Sequence, residues 1–202
     1  MNSRKLHKII GLLLFVPLIG WSLTGMVFLV KPGYEGAYER IYPKTYPIEE
    51  TFKIESGGNW HEARILRTIL GYHLLVKQDG SWKHLDPKTL KEKPVSSETD
   101  LFALVEDAIS TNKDRYGNIV SITSGKIFTD TGVEIAVDWS KLSISQAGSD
   151  THFLNALYKV HYLQWSGLPA LNVALGATGI VLLLTLVIFG FSLYRRTPVK
   201  GT

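Results

Sequence analysis

The sequence contains no cysteine. This absence excludes disulfide scaffolds, thiolate zinc sites, iron–sulfur clusters and thiol catalysis. It leaves the compartment open, because a cysteine-free chain can fold in oxidising and in reducing surroundings alike. The G-x-S-x-G, H-E-x-x-H, P-loop and G-x-G-x-x-G patterns are missing as well. Residue patterns alone therefore give no support for a hydrolase, a metallopeptidase or a nucleotide-binding enzyme.

Charge is missing from two long apolar runs. Ile9–Val30 has no charged residue across 22 positions, and Leu168–Tyr194 has none across 27. A helix of about 20 apolar residues crosses the hydrocarbon core of a bilayer. The runs therefore predict transmembrane helices over 9–30 and 168–194. Neither run contains an ionisable side chain, which argues against an ion transporter or pump.

The charges that are present indicate an orientation. All 18 acidic residues and 16 of the 22 basic ones lie between Lys31 and Lys159, so this middle carries −2 and the two ends carry +6. Basic residues flanking a span favour the cytoplasmic side. We therefore expect the segments 1–8 and 195–202 in the cytoplasm and 31–149 on the opposite face. A nucleic-acid surface would instead concentrate positive charge on one folded domain.

A cleaved signal peptide is the alternative interpretation of the first run. Its basic start, Arg4-Lys5-Leu6-His7-Lys8, fits that interpretation. The apolar stretch, however, is longer than a usual signal peptide core, and no A-x-A-like site follows it. A membrane span is the better prediction.

The middle of the chain has the pattern of an α+β domain. The predicted elements are a helix over 59–70, strands over 72–78 and 81–86, a helix over 99–113, and strands over 119–123, 133–139 and 142–146. Asp79-Gly80 joins the first two strands and favours a tight hairpin turn. An antiparallel sheet with helices follows from this order. Residues 150–166 read as an amphipathic helix at the membrane surface.

The predicted hairpin brings together a candidate metal site. Its two-residue turn places Leu75 opposite His84, and His73 opposite Asp86. Alternation along the strands puts Tyr72, Leu74, Val76 and Leu85 on a core face, with the two histidines and Asp86 on the other face. Imidazole and carboxylate ligands suit Zn²⁺ or Fe²⁺. A solvated polar strand face is the alternative.

The two ends of the chain resemble the PepSY-associated transmembrane (PepSY-TM) family. The run from Arg4 to Leu12 is similar to the family opening R-x-L-H-x-x-x-G-L, and Thr24-Gly25 to the "TG" that ends its first helix. The stretch from His161 to Arg195-Arg196 resembles the closing "LH…G…GLP…G…TG…RR" pattern. Phe189 stands where the family has Thr, and larger members have four spans rather than two. The middle resembles the PepSY module more weakly.

This resemblance implies a bacterial inner-membrane protein with a periplasmic PepSY-like domain. Some larger relatives are haem-bearing reductases of ferric siderophore complexes, so the resemblance implies haem b and a ferric-reductase-like oxidoreductase component. PepSY modules in propeptides are thought to bind or inhibit peptidases. The second hypothesis is accordingly a non-catalytic anchored module that binds a periplasmic partner, such as a peptidase or a transport subunit. In that case its sheet, with the His73/His84 face, makes the contact.

The resemblance also directs attention to His7 and His161, because imidazole is an axial ligand of haem iron. Gly11 lies one turn after His7 and would let a porphyrin lie against the helix backbone. The two histidines lie at opposite ends of the spans, roughly 30 Å apart, so they cannot ligate one iron. A homodimer could present a His7 pair and a His161 pair, holding two haems in line to carry electrons outward.

Overall fold

The computed structural model describes residues 3–54, 59–95 and 97–196. The chain divides into two compact units: Met1–Pro32 with Phe153–Thr202, and Gly33–His152. The ends of both predicted cytoplasmic segments, at 1–2 and 197–202, lie outside the described residues.

The first unit contains two helices long enough to cross a bilayer. Helix α1 is Ser3–Val30 and helix α6 is Pro169–Arg196. Their most apolar windows have mean hydropathies of 2.2 and 2.5. The apolar runs over 9–30 and 168–194 are thus confirmed as helical almost throughout. Pro169 begins α6, where its fixed φ and missing N–H are tolerated.

The two helices pack on each other where glycines permit close approach. A Cβ at Gly179 would lie 3.2 Å from Trp21 Cη2, and one at Gly190 would lie 3.2 Å from His7 Cε1. Small residues at helix interfaces are typical of membrane bundles, because tight van der Waals packing replaces the hydrophobic effect there.

The described residues of the second unit form two antiparallel sheets, three complete helices and the start of a fourth. The three-stranded sheet contains β1 (Trp60–Thr68), β2 (Gly71–Gln78) and β3 (Ser81–Leu85), in that order. The four-stranded sheet contains β4 (Ile119–Thr123), β5 (Lys126–Thr129), β6 (Glu134–Asp138) and β7 (Ser143–Ala147), in that order. The helices are α2 (Tyr34–Ala37), α3 (Glu98–Ile109) and α4 (Lys113–Tyr116). The predicted α+β class is confirmed.

Helix α5, Ser149–His161, begins in the second unit and ends in the first. It starts one residue before the predicted surface helix over 150–166 and ends five residues earlier. Lys159 and His161 occupy its last turn.

The hairpin of β2 and β3 has the predicted register. Gln78 pairs with Ser81, and Leu75 pairs with His84. Asp79 and Gly80 take φ values of 50° and 78°, the left-handed pair that a type I′ turn requires. Asp tolerates this conformation and Gly adopts it freely, so the dipeptide sets the register.

The predicted helix over 59–70 is wrong, because the chain forms strand β1 there. Thr68 pairs with Gly71 and Ile65 pairs with Leu74, so β1 and β2 make a second tight hairpin. Gly71, the first residue of β2, has φ 89°, a left-handed conformation that lets the chain turn back sharply after β1. A short run of apolar residues fits the periodicity of a helix and that of a strand equally well. Hydrogen bonding to β2 makes this segment a strand.

The predicted division of the hairpin into one core face and one polar face is also wrong. Leu74, Val76 and Leu85 form one buried cluster, while Leu75 on the opposite face belongs to the main core. Because the sheet is covered on both sides, His73 and His84 are buried as well, at 0% and 2% exposure.

A polar network around Arg115 joins the beginning and the end of the second unit. The Arg115 guanidinium donates to Asp150 Oδ2 at 2.8 Å and to Gln146 Oε1 at 2.8 Å. The Gln146 amide in turn donates to the carbonyls of Gly36 and Ala37, each at 3.2 Å. Segments more than 100 residues apart in sequence are thereby held together.

We expect Arg115→Met to lower the free energy of unfolding by about 2 kcal/mol, because Asp150 and Gln146 would lose their charged donor in a partly buried setting. Denaturant unfolding of the full chain in micelles, followed by tryptophan fluorescence, measures this loss. Lys126→Met is the control, since it removes an exposed ion pair with Glu134 and costs at most about 1 kcal/mol. Equal losses for both variants would contradict a stabilising role of the network.

Candidate functional site

His161 is held between α5 and α1 by three contacts. Its Nδ1 lies 2.8 Å from Thr24 Oγ1, and its carbonyl accepts a hydrogen bond from Trp21 Nε1 at 2.7 Å. The ring of Phe28 packs edge-on against the imidazole, with 5.0 Å between centroids. The carbonyls at a helix end lack intrahelical donors, so the Trp21 indole satisfies one of those of α5. These contacts fix both the backbone and the ring of His161.

The hydrogen bonds of Thr24 favour one tautomer of His161. The Thr24 hydroxyl donates to the carbonyl of Gly20 at 2.6 Å, so its single proton is committed. With its proton directed to Gly20, the hydroxyl accepts from His161, and the favoured tautomer carries the imidazole proton on Nδ1. The Nε2 lone pair remains, and no described residue donates to it. A histidine that binds a metal commonly uses its other N–H in this way, to orient the ring.

An apolar groove of about 340 Å³ lies beside His161. It is lined by Trp21, Tyr162, Leu163, Gly176, Ile180 and Leu183 together with the histidine itself. Among the described residues outside the backbone of its own helix, only Tyr162 has an atom within 4 Å of the position that a Cβ of Gly176 would take, its carbonyl oxygen at 3.9 Å. An aromatic and aliphatic groove with one open imidazole nitrogen suits a flat, largely apolar group.

His7 lies at the other end of α1, against α6. Its Nδ1 atom is buried and has no hydrogen-bond partner among the described residues. Gly190 makes room for the ring, because a Cβ there would lie 3.2 Å from Cε1. A buried polar atom without a partner costs roughly 1–3 kcal/mol, so a second role for this ring beyond folding is favoured.

The structure places Gly11 against α6 rather than beside an open space. A Cβ at Gly11 would lie 3.6 Å from Leu186 Cδ1. A porphyrin lying on this glycine, as the sequence predicts, would have to displace the leucine side chain. That role of Gly11 stays a prediction.

His7 and His161 do not share a site. Thr24, the partner of His161, lies seventeen positions after His7 in α1. At 1.5 Å per residue, this corresponds to roughly 25 Å along the helix axis. Within one chain, each histidine is therefore available to a different ligand.

In the second unit, His73 and His84 belong to a buried chain of hydrogen bonds. His84 Nδ1 donates to the carbonyl of Trp139 at 2.9 Å, so its Nε2 accepts from His73 Nδ1 at 2.8 Å. His73 Nε2 then accepts from Thr68 Oγ1, also at 2.8 Å. This order satisfies all four ring nitrogens with both imidazoles neutral.

Burial favours the neutral form of both rings. It lowers the pKa of His73 to about 3, assisted by the nearby charge of Lys93. It lowers the pKa of His84 to about 4, against a smaller opposing effect of the bond to the Trp139 carbonyl. A proton added here would charge a core position that already lies near an ammonium group.

The predicted metal site is only partly assembled. His73 and His84 meet, but the Asp86 carboxylate accepts hydrogen bonds from Thr89 N and Lys88 N in its own turn, both at 2.9 Å. These bonds lower the pKa of Asp86. Among the described residues, no group of three or more His, Asp and Glu side chains is placed to hold a metal ion. A partner protein would not touch the two histidines directly, because both are buried.

Sequence reasoning missed the residues that position the terminal histidines. In the sequence, Thr24 is only part of the family's "TG" motif, Gly190 is only part of its closing pattern, and Trp21 belongs to neither. The signal for Thr24 was a hydroxyl in an otherwise apolar span, since such a group needs a partner inside the protein. Nothing in the sequence paired Trp21 with the carbonyl of His161, 140 positions away.

The fold and these contacts define a two-span membrane protein whose spans are joined through an α+β unit. The model of one protein family, described as the PepSY-associated TM region, matches residues 2–196. The chain belongs to this PepSY-TM family, as the motifs at its two ends predicted. No match is found among curated proteins or among solved structures.

We expect the second unit to lose stability as the pH falls. His73 and His84 have folded pKa values of about 3 and 4, below the value of about 6.5 in an unfolded chain. Their contribution is therefore complete above pH 6.5 and is lost progressively below it. At pH 5 the loss is up to about 2 kcal/mol per histidine. Urea unfolding of the full chain at several pH values measures it.

The matched controls are His84→Gln and His152→Gln. The first removes one buried imidazole and should flatten the dependence on pH between 5 and 7. The second alters an exposed histidine of the same unit and should leave the slope unchanged. Equal slopes for all three proteins would contradict the assignment of neutral, buried rings.

Proposed function

We propose that this protein binds haem b and supports electron transfer across the bacterial inner membrane to a periplasmic ferric complex, such as a ferric siderophore. One observation carries the proposal. The hydrogen bonds of Thr24 place the His161 proton on Nδ1 and leave Nε2 open beside an apolar groove. That is the state in which imidazole ligates iron.

The residues present fit a haem at each end of the spans. His161 Nε2 would be the ligand at one end, with Trp21 and Ile180 among the apolar groups around it. His7 would be the ligand at the other end, where its buried Nδ1 lacks a partner and Gly190 makes room for its ring. Bound haem would supply reversible one-electron exchange between ferrous and ferric iron.

The chain's own contribution is orientation and exclusion of water. Thr24 holds the His161 ring by accepting from Nδ1–H, which also makes Nε2 a stronger donor to a metal. Trp21 anchors the backbone of the same residue. The aliphatic lining of the groove keeps the environment dry, and such a setting tunes the potential of a redox group.

A homodimer completes the proposed sites. One chain offers a single histidine at each end of its spans, about 25 Å apart along α1. A second copy would supply the matching histidine at each end, giving two bis-histidine sites in line across the membrane. The exposed apolar surface of α1 and α6 gives such a dimer a surface on which to form.

The proposed orientation of the chain in the membrane rests on the distribution of its charged residues. The basic residues near the N-terminus precede the first span, and those near the C-terminus follow the second span. This distribution favours a cytoplasmic location for the termini and a periplasmic one for the second unit.

A second candidate function is a membrane-anchored module that binds a periplasmic protein. Strand β4 lies at the edge of its sheet and carries an exposed Val120. A groove of about 360 Å³, lined by Phe102 and Ile119 among others, runs beside it. Edge strands can accept an extended peptide as an added strand. This observation favours a peptidase or another protein as the partner.

We expect protein purified from haem-replete cells to show the Soret and α bands of a bis-histidine haem, with one haem per chain. His161→Ala and His7→Ala should each remove one component of the spectrum. Thr24→Val should weaken haem retention about 10–100-fold, because Nδ1–H loses its acceptor. Absorbance and haem extraction measure these changes without any assay of activity.

The controls are Thr24→Ser, which keeps the hydroxyl, and His61→Ala, which removes an exposed histidine of the second unit. Both should retain the spectrum of the unaltered protein. A colourless unaltered protein would reject the haem proposal and favour the binding module.

Topology can be tested directly, because the chain has no native cysteine. We expect Ser81→Cys, in the exposed turn of the β2–β3 hairpin, to react with a membrane-impermeant maleimide when only the outer membrane is permeable. Ser3→Cys should react only after the inner membrane is broken. The reverse pattern would overturn the proposed orientation.

A further inference from the structure

The first unit has basic side chains but no acidic ones. Residues 1–32 and 153–202 contain no Asp or Glu, so the lysines and arginines of the unit have no acidic side chain within it to pair with. Among the described residues, no carboxylate of the second unit lies within ion-pairing distance of Lys5, Lys8 or Arg195 either. The counter-ions of these three cations therefore come from outside the described chain.

Helix packing brings most of the cations of this unit to one place. A Cβ at Gly190 would lie 3.2 Å from His7 Cε1, whereas a Cβ at Gly179 would lie 3.2 Å from Trp21 Cη2, so α1 and α6 run antiparallel. The start of α1 therefore lies beside the end of α6. The cations at this shared end are Arg4, Lys5 and Lys8 of α1 and Arg195 of α6.

The cations at this end repel one another. All four are exposed. Within α1, Lys8 follows Arg4 by four residues and Lys5 by three, so it forms a like-charge pair with each of them. Like charges at these spacings destabilise a helix, because the side chains lie on neighbouring positions of its surface. An anion bound between the side chains would relieve this repulsion.

The surface next to the cations is apolar. Leu12, one turn after Lys8, is 78% exposed, and Ile188 and Phe191 of α6 are 64% and 63% exposed. In a bilayer these side chains contact acyl chains, and the cations beyond the end of the charge-free run contact headgroups. A phospholipid offers a phosphate and acyl chains together, whereas a free phosphate ion would leave the apolar surface without a partner. The surface therefore favours a lipid.

We propose that the shared end of α1 and α6 binds an anionic phospholipid. The lipid phosphate contacts Lys5 and Lys8 of α1 and Arg195 of α6, with charge-assisted hydrogen bonds from the ammonium and guanidinium groups. The acyl chains lie along the exposed apolar residues of the two helices. Basic groups gathered where transmembrane helices meet are suited to anionic headgroups. The site uses no histidine, so it stands or falls separately from the proposed function.

The test uses phosphatidylglycerol and phosphatidylcholine with identical acyl chains as probes of the full chain in a neutral detergent. Native mass spectrometry counts the lipids that each chain retains during a titration. We expect phosphatidylglycerol to bind at least about tenfold more tightly, because each cation near an anionic headgroup strengthens binding roughly fivefold. Inorganic phosphate at the same concentration should not displace it. Equal binding of the two lipids, or displacement by phosphate, would overturn the proposal.

Two variants and one matched control locate the site. Lys8→Gln and Arg195→Gln each remove an exposed cation, one from each helix, and should weaken the binding of phosphatidylglycerol at least about threefold while leaving that of phosphatidylcholine unchanged. Lys31→Gln is the control, since it removes an exposed cation directly after the opposite end of α1, and it should have no effect.

An equal loss for Lys31→Gln would indicate attraction to the whole chain and would overturn a local site. Unchanged binding in Arg195→Gln would overturn a site shared by the two helices. The lipid count is read without the haem spectrum, so a failure of this proposal is distinguishable from a failure of the proposed function.

Discussion

A helix that crosses a bilayer has no water for its polar side chains, so each such group must find a partner within the protein. Thr24 meets this constraint by donating to the carbonyl of Gly20 and accepting from His161. Trp21 meets it by donating to the carbonyl of His161. These bonds join α1 to the end of α5 and favour the tautomer in which the Nε2 atom of His161 stays open. The proposed ligand state of His161 is therefore a consequence of how the span satisfies its own polar groups.

Histidine has two contrasting roles in this chain, and hydrogen bonding separates them. His73 and His84 have all four ring nitrogens engaged, from Thr68 to the carbonyl of Trp139. They are neutral core residues that stabilise the hairpin. His7 and His161 each keep a ring nitrogen without a partner among the described residues. A histidine needs an open imidazole nitrogen to bind a metal, so a metal ligand is more to be expected at the spans than in the sheet.

Hydrogen bonds between segments distant in sequence stabilise the second unit together with its hydrophobic core. Arg115 and Gln146 connect Asp150 with the carbonyls at the end of α2. Tyr116 and Asn112 both donate to Glu39 Oε2, at 2.9 Å, and so hold the same segment. Burial and this bond raise the pKa of Tyr116. Segments near the beginning and the end of the unit are thereby held together. The bonds to the carboxylates of Asp150 and Glu39 are charge-assisted and so are stronger than neutral ones.

The sequence by itself determined the two spans, the class of fold and the β2–β3 register, because each depends on a local signal. These signals are the absence of charge, the periodicity of apolar residues and the Asp-Gly turn, respectively. Strand β5 was missed although Ser124-Gly125 takes the same left-handed pair of φ values, 52° and 75°. Only tertiary structure made residues 60–68 a strand, buried both faces of the hairpin, and paired Thr24 with His161. Each of these depends on a partner distant in sequence or on a second covering layer, and local pattern carries no information about either.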